Sequence, residues 1–212
     1  MEDVLAVYHR PYDAKRPVIC LDEISKVLHS TPHGVIPMQP GASARQDYEY
    51  KRHGTANLFL SIEPLSGQRQ VRVTQQRTAQ DFAELLRTLV DDDYPQAETI
   101  VLVVDNLNTH HAGALYERFA AVEARRIADK LEWHFTPEHG SWLNIAECEL
   151  SVLSRQCLNT RIPDLDSLRQ SVEKWVYKRN QARVTVDWQF TADDARIKLK
   201  RLYPISKESN ST

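Results

Sequence analysis

Residues 101–110, VLVVDNLNTH, decide how the chain is read. Four consecutive branched apolar residues, Val101 to Val104, run directly into Asp105, Asn106 and, three positions later, Thr109 and His110. An unbroken apolar run closed by polar turn residues reads as a strand covered on both faces. Its end delivers Asp105 to the rim of a sheet, where a cation or substrate can reach it. Aspartate at a strand end also serves as the cap of a succeeding helix. The stretch alone leaves both roles open.

Two other stretches raise the same question. Residues 17–25, PVICLDEIS, form a second buried-strand candidate. In extended backbone Val18, Cys20 and Asp22 share one face, while Ile19, Leu21 and Glu23 share the other. One acid at most serves a given site, and alternation does not choose. In residues 139–157, HGSWLNIAECELSVLSRQC, the residues Leu143, Ala146, Leu150, Leu153 and Cys157 fall on one helical stripe. Glu147 stands about 80° from the stripe's centre at 100° per residue, and Glu149 lies on the opposite border. Spacing admits either.

The remaining chain supplies the frame. A short amphipathic helix, Glu2 to His9, lies in an N-terminal arm, residues 1–16. Residues 30–54 are polar and aperiodic, the mark of a long functional or mobile loop. They hold Arg45, Tyr48, Tyr50, Lys51, Arg52 and His53, a mixture suited to a nucleic-acid backbone or to a solvated hairpin. Asn57–Pro64 and Gln70–Gln75 alternate as an antiparallel hairpin. Thr78 caps a helix with Phe82, Leu85, Leu86, Leu89 and Val90 inward. Asp91, Asp92 and Asp93 come next and receive no function, since adjacent carboxylates diverge. Ala112–Lys130 reads as one helix or two, Leu131–Thr136 as a strand, and Asp164–Ala182 as a helix. A basic tail, residues 186–212, carries Arg196, Lys198, Lys200 and Arg201, either on DNA backbone or on a solvated face. The expected architecture is α/β: a mixed sheet of five strands flanked by α-helices, with Asp22 and Asp105 ending neighbouring strands.

Composition narrows the classes. The 212 residues suit one domain, and no apolar run spans a bilayer. The acidic start is unlike a secretory signal. Cys20, Cys148 and Cys157 are odd in number and widely spaced, as in reduced, mostly buried thiols of a cytoplasmic protein. A net charge of −2 and a pI near 6.4 lack the basic excess of a self-sufficient nucleic-acid binder. Action on DNA would then draw on a local patch, a metal or another domain. Three carboxylates from two strand ends and a helix would make an oxygen donor set for two hard divalent cations. No histidine or cysteine spacing competes as a zinc site.

The stretches VLVVDNLNTH and HFTPEHGSWLNIAECELSVLSRQ together resemble the catalytic core of a bacterial insertion-sequence transposase. The superfamily is the mariner-like one, with a DDE triad on an RNase H-like fold. The resemblance extends from about Val18 to Pro204 and places the three carboxylates on Asp22, Asp105 and Glu147. It, not the helical wheel, selects Glu147 over Glu149 and Asp22 over Glu23. It implies a catalytic domain over residues 17–185 and two Mg2+ (or Mn2+) ions. It also implies cleavage of DNA strands at transposon ends and transfer into target DNA, by a homodimer assembled on DNA in the bacterial cytoplasm. No membrane or small-molecule cofactor is implied. Asn106 and His110 are expected to support Asp105 or touch substrate phosphate, and Asn144 to fix the start of the helix bearing Glu147 or contact substrate. The chain departs from the pattern in Ile145-Ala146-Glu147, where relatives have Pro-Ile-Glu. The interval of 41 residues between Asp105 and Glu147 is also long. Nothing before Val18 matches the helix-turn-helix region that reads transposon ends in the family. The alternatives are an impaired or domesticated remnant that binds DNA or protein, and a stand-alone RNase H-like nuclease.

Overall fold

The computed structural model describes residues 1–32, 35–36, 38–43, 45–46, 49–107, 110–138 and 140–203, with backbone only at 35, 36, 45 and 46. Helix α1 (Glu2–Tyr8) leads into β1 (Val18–Ser30). Among the described residues two short strands, β2 (Val35–Ile36) and β3 (Arg45–Gln46), pair only with each other. Then come β4 (Lys51–Glu63), β5 (Gln68–Thr74), α2 (Ala79–Thr88), β6 (Ile100–Val104), α3 (Gly113–Arg118), α4 (Ala121–Ala128) and β7 (Leu131–Phe135). Helices α5 (Ile145–Leu153), α6 (Leu165–Gln181) and α7 (Ala192–Lys198) complete the order.

Five strands form one mixed sheet in the order β5-β4-β1-β6-β7. The first three are antiparallel, and β1, β6 and β7 run parallel. All five residues of β6 are buried, as the apolar run requires. They face two cores. Val101 and Val103 join Cys20, Leu58 and Leu60 under α1, α5 and α6. Ile100, Leu102 and Val104 join Ile19, Leu21 and Phe59 under α2, α3 and α4. Each such side chain contributes about 1.5–3 kcal/mol relative to exposure. Helix α1 is part of this core, with Val4 and Leu5 fully buried.

Local chemistry sets the boundaries. Thr78 and Asp81 close a capping box at the start of α2. Asp91 and Asp93, just beyond α2, are spent on ion pairs with Arg126 and Arg72. Gly67, at φ +71°, turns the β4–β5 hairpin 2.9 Å from the Val184 carbonyl, measured from where a Cβ would stand. Among the described residues no helix is long and apolar enough to cross a membrane.

Two expectations are corrected. Residues 30–54 are not one loop: β4 begins at Lys51, and Ser30 pairs with it. Asp22 does not end its strand either. The parallel partner β6 stops at Val104, but the antiparallel partner β4 continues, so β1 runs eight residues past Asp22 to Ser30. Leu28 and Ala56 apart, this ribbon is held by its backbone ladder and by polar contacts such as Ser25 to Asn57 and Lys26 to the Leu158 carbonyl, which leaves no apolar alternation to read.

Candidate active site

The site is built on the β1–β6 register. Cys20 opposite Val103 is the last paired rung between the parallel strands. Asp22 and Asp105 each lie two residues further along their own strand direction. The two acids therefore lie level with one another, Asp22 within β1 and Asp105 just past the end of β6. Alternation puts Asp22 on the Cys20 face, the side covered by α5.

Asp22 is half-buried, and its Oδ1 accepts the Glu23 amide at 2.8 Å. Burial pushes its carboxyl up to about 7 against that opposing hydrogen bond, and the nearby Asp105 and Glu23 charges add to the rise. Asp105 has left the sheet, and among the described residues its carboxylate meets one partner, Nδ1 of His110. The His110 ring is buried and stacks on Phe82 of α2, centroids 4.5 Å apart. Its Nε2 lies 3.0 Å from Glu23 Oε2. Burial disfavours the imidazolium, but the two carboxylates outweigh it and carry His110 up to about 9.

The third carboxylate arrives on α5. Asn144 caps that helix, accepting the Ala146 amide at 3.1 Å, while its Nδ2 donates to the Leu21 carbonyl at 2.9 Å. The helix start is thus tied to β1 one residue before Asp22. Tyr8 adds a second tie: its hydroxyl donates to the Leu143 carbonyl at 2.7 Å and accepts the Ile145 amide at 3.3 Å. Glu147 stands exposed in the first turn of α5. Glu149 is turned the other way into a buried cluster. Arg179 binds its two oxygens at 3.0 and 2.9 Å, and Arg69, itself fully buried, lies 3.0 Å away. The wheel makes these two glutamates equivalent; their partners separate them.

The donor set is oxygen throughout, and a buried carboxyl whose proton affinity is raised in part by the neighbouring Asp105 charge suits a divalent cation. Among the described residues, however, no three histidine, cysteine, aspartate or glutamate side chains lie close enough to share an ion. The fold brings Asp22 and Asp105 together and leaves Glu147 on the adjoining helix turn. Asn106 is exposed beside Asp105.

The basic candidates fall into two groups. Lys51 and Arg52 are exposed on the β1–β4 ribbon, with Arg52 over the Tyr50 ring at 5.8 Å. The side chain of Arg45 lies outside the described residues, as do Thr109 and His139. In the tail, Arg196 is paired with Glu2 and Asp193, and Lys198 with Asp194. Lys200 and Arg201 are exposed. Sequence reading gives no role to Glu23, Tyr8, Arg69 or Arg179. Strand alternation does place Glu23 on the α2 face; nothing local signals the other three.

Residues 17–169 match the family model described as DDE superfamily endonuclease. The chain belongs to that family. The crystal structure of the Mos1 Strand Transfer Complex shares the fold of this DDE superfamily endonuclease, with a TM-score of 0.52 at 14% identity. The match covers 85% of this chain and 56% of that one, so the chain spans little more than half the length of that relative. The cryoEM structure of the simian T-cell lymphotropic virus intasome in complex with PP2A regulatory subunit B56 gamma matches at a TM-score of 0.36 and 12% identity, over 96% of this chain and 63% of that one. No curated protein matches the DDE superfamily endonuclease chain. Its mixed five-stranded sheet flanked by helices is the RNase H-like arrangement.

Proposed function

We propose that this DDE superfamily endonuclease cleaves DNA strands and transfers them in the transposition of an insertion sequence. Asp22, Asp105 and Glu147 are its catalytic carboxylates. One observation carries the reading. Asp22 and Asp105 stand two residues past the same parallel rung, while the helix bearing Glu147 is tied to the residue before Asp22.

Asp22 and Asp105 would hold divalent cations, Mg2+ or Mn2+, and Glu147 would complete the set from the first turn of α5. When bound, such ions stabilise charge on the attacking and leaving oxygens of a phosphodiester. The chain's own residues do the rest. Asp22 would bind as the carboxylate, its proton lost to solvent, while His110 holds Asp105 in one orientation and Asn144 fixes where the first turn of α5 sits. Glu149 is excluded from the set by Arg179 and Arg69.

Residues 17–185 would form the catalytic unit, acting in the bacterial cytoplasm as a homodimer on transposon ends. The β1–β4 ribbon supports a DNA partner. It carries exposed Lys51 and Arg52 roughly 25–30 Å along the strands from Asp22, at about 3.3 Å per residue. That is on the order of eight base pairs.

The test is magnesium-dependent nicking of DNA by the purified chain and by Asp105→Ala. The proposal expects nicking that needs the cation and disappears in the variant while the thermal midpoint stays within a few degrees. Metal-independent nicking, or full activity in the folded variant, would contradict it. A chain that binds DNA but never nicks it would favour the binding-remnant reading.

A further inference from the structure

We infer that Glu23 is a positioning residue for Asp105, acting through His110; the inference rests on the metal-site reading above. The two strand acids are held in different ways. Asp22 sits within the β1–β4 ladder opposite Leu60, and the Glu23 amide fixes its carboxylate. Asp105 has neither support. The strand ends at Val104, whose carbonyl accepts the Thr136 amide, and Asp105 lies past it. Among the described residues its carboxylate is hydrogen-bonded by the His110 ring alone.

An imidazole that orients a carboxylate must itself be fixed, and three contacts fix this one. The Phe82 ring lies against its face at 4.5 Å and 28°. Its own amide donates to the Leu107 carbonyl at 2.9 Å, closing the turn after β6. Its far nitrogen lies 3.0 Å from Glu23 Oε2, where the side chains are 1% and 4% exposed respectively. Glu23 points to the α2 face because its neighbour Asp22 points to the other. Adjacent residues of one strand thus serve one site from opposite faces of the sheet. Asp22 acts directly, and Glu23 acts through a ring that reaches back to Asp105. The bridge engages Oδ1 of Asp105 and leaves Oδ2 without a hydrogen bond among the described residues. A carboxylate held at one oxygen offers the other to a cation in a single orientation.

The experiment measures Mn2+ affinity by calorimetry on the full chain, without DNA, alongside the ring 15N resonances of His110. Glu23→Ala and His110→Ala should each weaken Mn2+ binding about tenfold, the lower end of the range for residues that orient metal ligands. The double variant should be no weaker than either single one, because both act on one contact. Glu23→Gln keeps an oxygen for the ring and should stay within about threefold of the parent, with its His110 resonances intact. If Glu23→Ala does not fold, this rescue decides the matter, with Glu23→Met as the isosteric variant lacking the oxygen. Unchanged Mn2+ affinity in folded Glu23→Ala or Glu23→Met, or full additivity with His110→Ala, would overturn the inference. Asp105→Ala separates the two claims: it should abolish binding. Undiminished Mn2+ binding there would overturn the metal-site reading itself.

Discussion

Asp22 is a carboxyl that the fold holds well above the usual carboxylate range. Burial first, then the neighbouring Asp105, pushes it up to about 7 from an ordinary 3.8. Between those values the folded chain binds a proton the unfolded chain has lost, so stability falls as pH rises through this window and the full penalty is present above it. A divalent cation reverses the sign by favouring the carboxylate. At about pH 6, Mn2+ binding should therefore release close to one proton, read by calorimetry in two buffers of different ionisation enthalpy. Binding with no buffer dependence would contradict this. His110 adds a second slope. Its pKa is raised from 6.5 to about 9, so the stability it contributes is complete below the lower value and lost as pH climbs through the upper one. The thermal midpoint of the metal-free chain should fall between those pH values, and His110→Gln should flatten the fall. The buried strand that runs into Asp105 and His110 is legible in the sequence, because an apolar run is local, whereas only the resemblance chooses Asp22 over its neighbour. The role of Glu23 is not legible, since its partner stands 87 positions away.

Among the elements, α5 connects the site to the rest of the fold. Its apolar stripe and the run in β6 are legible because burial on one or two faces leaves a period in the sequence. The extension of β1 to Ser30 and the early start of β4 are not. Leu28 and Ala56 apart, those residues are paired through backbone and polar side chains to a distant strand, and such pairing leaves no apolar period in the sequence. The same limit applies on α5 itself, where the wheel gives Glu147 and Glu149 equal standing. Only Arg69 and Arg179, from β5 and α6, distinguish them. Removing one member of a buried ion cluster leaves its partners uncompensated. Glu149→Ala should cost about 3–5 kcal/mol in urea unfolding, whereas Glu147→Ala should cost less than about 0.5 kcal/mol, as at an exposed helix site. Equal losses would refute the assignment of Glu149 to the scaffold. Asn144→Ala removes a helix cap and the bond to Leu21 together, about 1–2 kcal/mol. It should depress nicking more than that loss of stability explains, because the first turn of α5 is freed from β1.

For the molecule as a whole, charge is distributed rather than concentrated, in keeping with the net of −2. The tail that looks basic in sequence has two of its cations, Arg196 and Lys198, engaged by acids of α1 and α7. The ribbon cations Lys51 and Arg52 face solvent. Lys51→Ala with Arg52→Ala should weaken DNA binding evenly across sequences and lower the salt slope by about 0.9 for each phosphate that is no longer neutralised. Arg196→Ala should leave that slope unchanged, and the reverse ranking would place the DNA on the tail.

The two aspartates and α5 meet at one place, where β1 passes the end of β6 beneath the first turn of α5. The most direct measurement is anomalous diffraction from a crystal of the full chain soaked in Mn2+. The account predicts a peak within about 2.0–2.3 Å of an oxygen of Asp22 and of Asp105, with Glu147 turned toward it. A clean map with no peak between those two aspartates, or a peak held only by other residues, would contradict it.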